Sequence, residues 1–89
     1  MEAVEAHDPD PFEKSPGLDE LRANADLLSM IREETTPYDD IWIPLNRMGY
    51  RAGMPGMNHR LNVLRRHGYI RRMKGGYRLA EKGRAWHNR

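Results

Sequence analysis

The stretch Leu61-Asn62-Val63-Leu64-Arg65-Arg66-His67-Gly68-Tyr69-Ile70-Arg71-Arg72-Met73-Lys74-Gly75-Gly76-Tyr77-Arg78-Leu79 changes its periodicity midway. Up to His67 the apolar positions follow a helical period: at about 100° per residue Met57, Leu61 and Leu64 stack in one narrow sector that must face a core. Gly68 ends that helix, because glycine takes the left-handed backbone that closes a helix C-terminus. Tyr69 to Met73 and Tyr77 to Leu79 then read as two short strands flanking Lys74-Gly75-Gly76, whose glycines permit the positive φ of a tight hairpin. Strand alternation sends Arg71 and Met73 to one side and Arg72 to the other, so at least one arginine faces away from the core.

Upstream, Pro55 opens the helix that Gly68 closes, and Tyr50 to Met54 connects it to a shorter helix over Pro44 to Met48 that Gly49 stops. Proline inside a helix costs about 3 kcal/mol, which argues for Pro44 at the first helical position. Ile41-Trp42-Ile43, bulky and partly β-branched, reads as a brief strand between Asp39-Asp40 and Pro44. A first helix is expected from Ser15-Pro16 to about Glu34, with acidic Asp19 and Glu20 near its start and a buried stripe of Leu18, Leu21, Ala25, Leu28 and Ile31, widened by Leu27 and Met30. Downstream, Ala80 to His87 forms a last short helix that packs Trp86 onto the body.

The 89 residues suffice for one domain at most and are too few for a deep catalytic pocket beside a stable core. There is no cysteine, hence no disulfide framework and no thiolate metal site. No apolar run approaches the roughly 20 residues of a membrane span, and the N-terminus is acidic where a secretory signal would be basic and then apolar. A cytoplasmic, nucleoid-associated protein is the expectation. Residues 1–15 carry Glu2, Glu5, Asp8, Asp10 and Glu13 among prolines and read as a mobile acidic arm, leaving 16–89 as the domain. The net charge of +2 hides a segregation: residues 1–40 hold twelve of the thirteen acids against three basic side chains (−9), and residues 41–89 hold only Glu81 against twelve (+11). Such asymmetry points to nucleic acid or an anionic surface. Ten of the twelve basic residues in the second half are arginine, whose planar fork suits phosphate and guanine edges.

Helix, short strand, helix, turn, helix and hairpin, in that order, is the plan of a winged helix-turn-helix: mainly α, with a three-helix core, a short strand, a two-stranded wing and a short C-terminal helix. Leu61 to Ile70 resembles the end of the recognition helix and the first wing strand of MarR-, ArsR- and PadR-type prokaryotic transcriptional regulators. Tyr77-Arg78-Leu79-Ala80-Glu81-Lys82-Gly83-Arg84 resembles their second wing strand and the turn into the last helix. The resemblance implies a DNA-binding protein of transcription regulation. The chain departs from those families in four places: Ala80 replaces a hydroxyl cap, the Gly49 to Met54 connection is longer, Pro55, Gly56 and Asn58 replace small hydroxyl residues, and the long dimerising terminal helices are absent.

The candidate site follows from the helix geometry. Opposite the core sector of the third helix lie His59, Asn62 and Arg66, with Asn58 and Val63 on its flanks. Asparagine pairs bidentately with adenine and arginine with guanine, so Asn58, His59, Asn62 and Arg66 are the candidates for base readout. Arg51, Arg60, Arg65, Arg71, Arg72, Lys74 and Arg78 are the candidates for phosphate contacts. The partner implied is double-stranded DNA, with a homodimer possible and no small-molecule effector evident. No cofactor or metal is expected, since His59 and His67 lie eight apart with no carboxylate near and His7 and His87 are remote. No glycine-rich phosphate loop, Ser-His-Asp ordering or paired carboxylate supports an enzyme. Two other readings remain: a winged helix used as a protein-interaction module, and an architectural or recombination accessory DNA binder. RNA is disfavoured because no aromatic platform for unstacked bases is identifiable. The acidic arm is expected to compete with DNA for the basic face, or else to act as a solubilising tail.

Overall fold

The computed structural model of the protein describes residues 10–12, 18–50 and 53–88. Its element order is α1 (Leu18–Met30), β1 (Thr36–Pro37), α2 (Tyr38–Arg47), α3 (Gly53–Arg66), β2 (Ile70–Met73), β3 (Gly76–Leu79) and α4 (Glu81–His87). The three strands form one antiparallel sheet in the order β1-β3-β2. Four helices with a small three-stranded antiparallel sheet are compatible with a winged helix.

One core joins these elements. Leu27, Leu28 and Ile31 from the first helical region meet Ile41 and Leu45 of α2, Met57, Leu61 and Leu64 of α3, and Tyr69, Ile70 and Leu79 at the base of the hairpin. The period-matched trio of α3 is therefore fully inside, as its spacing requires. In α1 the stripe is narrower than expected: Leu21 and Ala25 are only half-buried, whereas Asn24 is 4 % exposed. Asn24 tolerates that burial because its Nδ2 donates to Pro11 O (3.1 Å) and its Oδ1 accepts from Arg60 Nη1 (3.2 Å).

Two expectations are corrected in the middle of the chain. Ile41-Trp42-Ile43 is not a strand but the centre of α2, and Pro44 lies inside that helix, not at its start. Pro44 deletes one bond, to the carbonyl of Asp40, while its own carbonyl accepts from Met48 N–H (3.1 Å) at the end of the helix. Ile41 and Leu45, four apart on one helical face, are both buried, and Asp39 and Asp40 sit in the first turn where the helix dipole favours them. Burying two aliphatic side chains, worth roughly 1.5–3 kcal/mol each, outweighs the proline penalty of about 3 kcal/mol. The strand that sequence placed at Ile41 is instead Thr36–Pro37, and α1 ends at Met30, short of Glu34. Thr36 is completely buried, and its Oγ1 accepts from the backbone N–H of Arg32 (2.9 Å) while donating to Glu34 O (3.3 Å). The loop is further tied to the sheet by Leu79 N–H to Arg32 O (2.8 Å).

The helix ends follow glycine. After α2, Gly49 (φ 82°) donates to Asn46 O and Tyr50 to Leu45 O. After α3, Gly68 (φ 86°) donates to Arg65 O and Tyr69 to Leu64 O. Both pairs are the 5→2 and 6→1 bonds of a Schellman cap. Gly53, not Pro55, begins α3, and Pro55 occupies its first turn, where no amide partner is lost. In the hairpin Met73 pairs with Gly76, leaving Lys74-Gly75 as a two-residue loop with Gly75 at φ 89°.

The stretch expected to be a mobile arm is packed where it is described. Pro11 is buried, and the Phe12 ring meets Tyr69 at 5.1 Å, edge to face, and Trp86 at 5.5 Å. The Asp10 carboxylate accepts from Tyr69 OH (2.9 Å) and Lys82 Nζ (3.2 Å). The remainder of the arm, like Ser15-Pro16 and Arg51, lies outside the described residues. Burial pushes the Asp10 carboxyl up, but the bonds from the Phe12 amide, Tyr69 and Lys82, with the charge of Lys82, hold it below its ordinary 3.8. A depressed folded value contributes stability above the ordinary value that is lost as pH falls through the folded one. Asp10→Asn is therefore expected to be less stable than the parent at neutral pH, with the difference in denaturation midpoint closing as pH falls below 3.8. A difference that stays constant across that range would contradict the contact.

Candidate nucleic-acid interface

The third helix presents Asn58, His59, Asn62, Arg65 and Arg66 as exposed side chains, with His59, Asn62 and Arg66 opposite Met57, Leu61 and Leu64 and with Asn58 and Arg65 on one flank. Beside it stands the hairpin. Ile70 pairs with Leu79 and Arg72 with Tyr77, on the strand face shared with the core, while Arg71 pairs with Arg78 on the other face. Arg72 and Tyr77 thus continue the inner face beyond the core, toward α3. Between them lies an open cleft of about 520 Å³ in which Asn58 and Asn62 oppose Arg72, Tyr77 and the glycine turn. No acidic side chain is among its lining residues.

Tyr38, the first residue of α2, closes one wall of this cleft and donates its OH to Asn58 Oδ1 (2.9 Å). Burial, together with neighbouring Tyr77, holds the Tyr38 phenol above its ordinary value, so it remains a proton donor. With its carbonyl oxygen engaged, Asn58 keeps its amide NH₂ to offer outward. Asn62 Oδ1 receives a long 3.5 Å contact from Arg65 Nη2, which leaves that side chain easily redirected.

The expected phosphate-contacting residues separate into groups. Arg71, Arg72 and Lys74 are exposed on the hairpin, and Arg65 is exposed on α3. Arg60 does not join them: it points along the other flank of α3, where its Nε donates to Tyr50 OH (3.1 Å) and its Nη1 to Asn24. Its position lies on the side of α3 that packs toward α1, so it braces the fold. Arg78 is half-buried on the outer face, and Arg51 lies outside the described residues. Sequence reasoning missed Tyr38, Tyr77 and Arg84. Tyr38 stands just ahead of the segment read as a strand and joins the cleft only because α2 begins at it, and Arg84 gains its place only from the docking of α4 on the hairpin.

Among the described residues no three His, Cys, Asp or Glu side chains gather as metal ligands, and no helix is long and apolar enough to cross a membrane. Compared with family models, with curated proteins and with solved structures, the chain finds no match in any of the three.

Proposed function

We propose that this chain is a winged-helix protein that binds double-stranded DNA with sequence preference, inserting α3 into the major groove and laying the β2–β3 hairpin along the adjacent backbone. The observation that carries the reading is the acid-free cleft in which Asn58 and Asn62 of the helix stand beside Arg72 of the hairpin. A helix about 10–12 Å across matches a major groove about 12 Å wide, and exposed asparagine and arginine on its outer face match adenine and guanine edges. Arg65, Arg71, Arg72 and Lys74 supply phosphate contacts that position the helix. Regulation of transcription in a prokaryotic cell is the role that such a domain fits best.

Readout and anchoring separate by mutation. Asn62→Ala or Arg66→Ala should compress the difference between specific and random duplex by about 1–3 kcal/mol, because base contacts carry the sequence information. Arg72→Ala or Lys74→Ala should weaken both duplexes nearly equally. Titration of the four variants against both DNAs checks this, and identical behaviour of the two classes would overturn the assignment of α3 as reader.

A further inference from the structure

The outer face of the hairpin carries a cluster that the cleft beside α3 does not use. Arg71 and Arg78 are direct cross-strand partners there. The chain turns at Ala80 into α4, and one turn later Arg84, its N–H bonded to Ala80 O (2.9 Å), arrives beside them. Arg71, Arg78 and Arg84 line a cleft of about 300 Å³ together with Leu79, Ala80 and Glu81. Among the described residues the Arg84 side chain makes one long 3.5 Å contact, from Nη1 to Leu79 O. Among the described residues no ion pair within 4.0 Å joins Glu81 to any of the three arginines.

The Nε of Arg78 is buried and has no hydrogen-bond partner among the described residues. A guanidinium N–H removed from water without an acceptor is among the costlier arrangements a fold can hold, and native proteins satisfy nearly all such groups or reserve them for an ion. Two cations held opposite each other across a hairpin, with a third brought by the next helix, repel one another unless an anion sits between them. Each can offer paired N–H groups in the fork geometry that fits a tetrahedral oxyanion. We infer that Arg71, Arg78 and Arg84 form an oxyanion site that takes a phosphate ester on the face of the hairpin turned away from the core. The inference goes beyond the DNA reading, since the site lies outside the helix-hairpin cleft and recruits Arg84.

The test follows the Arg78 Nε–H resonance in ¹⁵N-labelled protein, in a chloride-poor buffer, as inorganic pyrophosphate is added. Saturable movement of that resonance is expected, with Arg71→Gln and Arg84→Gln each weakening pyrophosphate at least about tenfold. Arg47→Gln, on the exposed end of α2, should leave it within about twofold. Retained backbone amide dispersion establishes that each variant is folded, and Arg78→Lys, which keeps the charge but loses the fork, should also lose the affinity. Adding duplex to the pyrophosphate-bound protein then separates two sources of the phosphate. Displacement assigns the site to a nucleic-acid backbone, and undisturbed pyrophosphate assigns it to a free phosphate ester. An Arg78 Nε–H that pyrophosphate does not move, or an affinity that falls equally in Arg84→Gln and Arg47→Gln, overturns the site. Pyrophosphate binding without any duplex affinity would sink the DNA reading alone.

Discussion

Gly76→Ala is expected to destabilise the protein by about 3 kcal/mol or more. The reason is the edge of the sheet. A Cβ on Gly76 would stand 2.0 Å from the carbonyl oxygen of Thr36 and 3.0 Å from Pro37 Cα. Both are backbone atoms of β1, which pairs with β3 at this point, so no side-chain rotation relieves the overlap. Moving β1 away would also pull the buried Thr36 hydroxyl off Arg32. For a chain of 89 residues the total stability is about 4–13 kcal/mol, so the loss is a large fraction of it. Gly83→Ala should act alike, since its Cβ would lie 2.1 Å from Tyr69 O and lift α4 off the hairpin. Gly75→Ala is the contrast: nothing lies within 4 Å, and the cost is that of a left-handed backbone at φ +89°, about 1–2 kcal/mol. Denaturant unfolding of the three variants checks the ordering. Gly76→Ala as stable as Gly75→Ala would contradict the described approach of β1 to β3.

Duplex affinity is expected to fall steeply with salt. A surface that neutralises about four to six phosphates gives a log-log slope of about −4 to −5, so raising salt from 50 to 200 mM should weaken binding roughly 250- to 1000-fold. The contributors on the surface are Arg65, Arg71, Arg72 and Lys74; Arg60, held by Tyr50 and Asn24, should change the slope little when replaced. Fluorescence anisotropy across that salt range measures it. Affinity that is flat in salt would be incompatible with a phosphate-contacting interface.

The parts of the fold legible in sequence are those where local chemistry and tertiary packing agree. Proline at the entry, glycine at the exit and a helical apolar stripe between them place α3 within two residues, and Lys74-Gly75-Gly76 places the hairpin, with Gly76 joining the second strand. The strand expected at Ile41 to Ile43 fails because three bulky residues before a proline satisfy the strand pattern, while the i, i+4 pairing of Ile41 with Leu45 satisfies a helix. Burial decided between them, and burial is not local. Thr36–Pro37 is a strand of two residues whose partner lies some forty residues away at Tyr77 and Gly76, and no window around it contains that information. Phe12 did carry a signal, the only phenylalanine in the chain within a polar stretch, but its partners Tyr69 and Trp86 are distant. At the site, angular position alone placed His59, Asn62 and Arg66 opposite the core side of α3 and Asn58 on its flank. It did not show that Arg60, about 60° from the core direction on the opposite flank, reaches Asn24.

Selection of the intact protein on a random duplex library at about 150 mM salt tests the central claim most directly, because only base contacts by α3 generate a preferred sequence at that screening. The account predicts an enriched motif that Asn62→Ala blurs at one position and Arg72→Ala leaves unchanged in sequence while lowering its recovery. Recovery of duplexes without any enriched motif, in parent and Asn62→Ala alike, would contradict α3 as a reader of DNA.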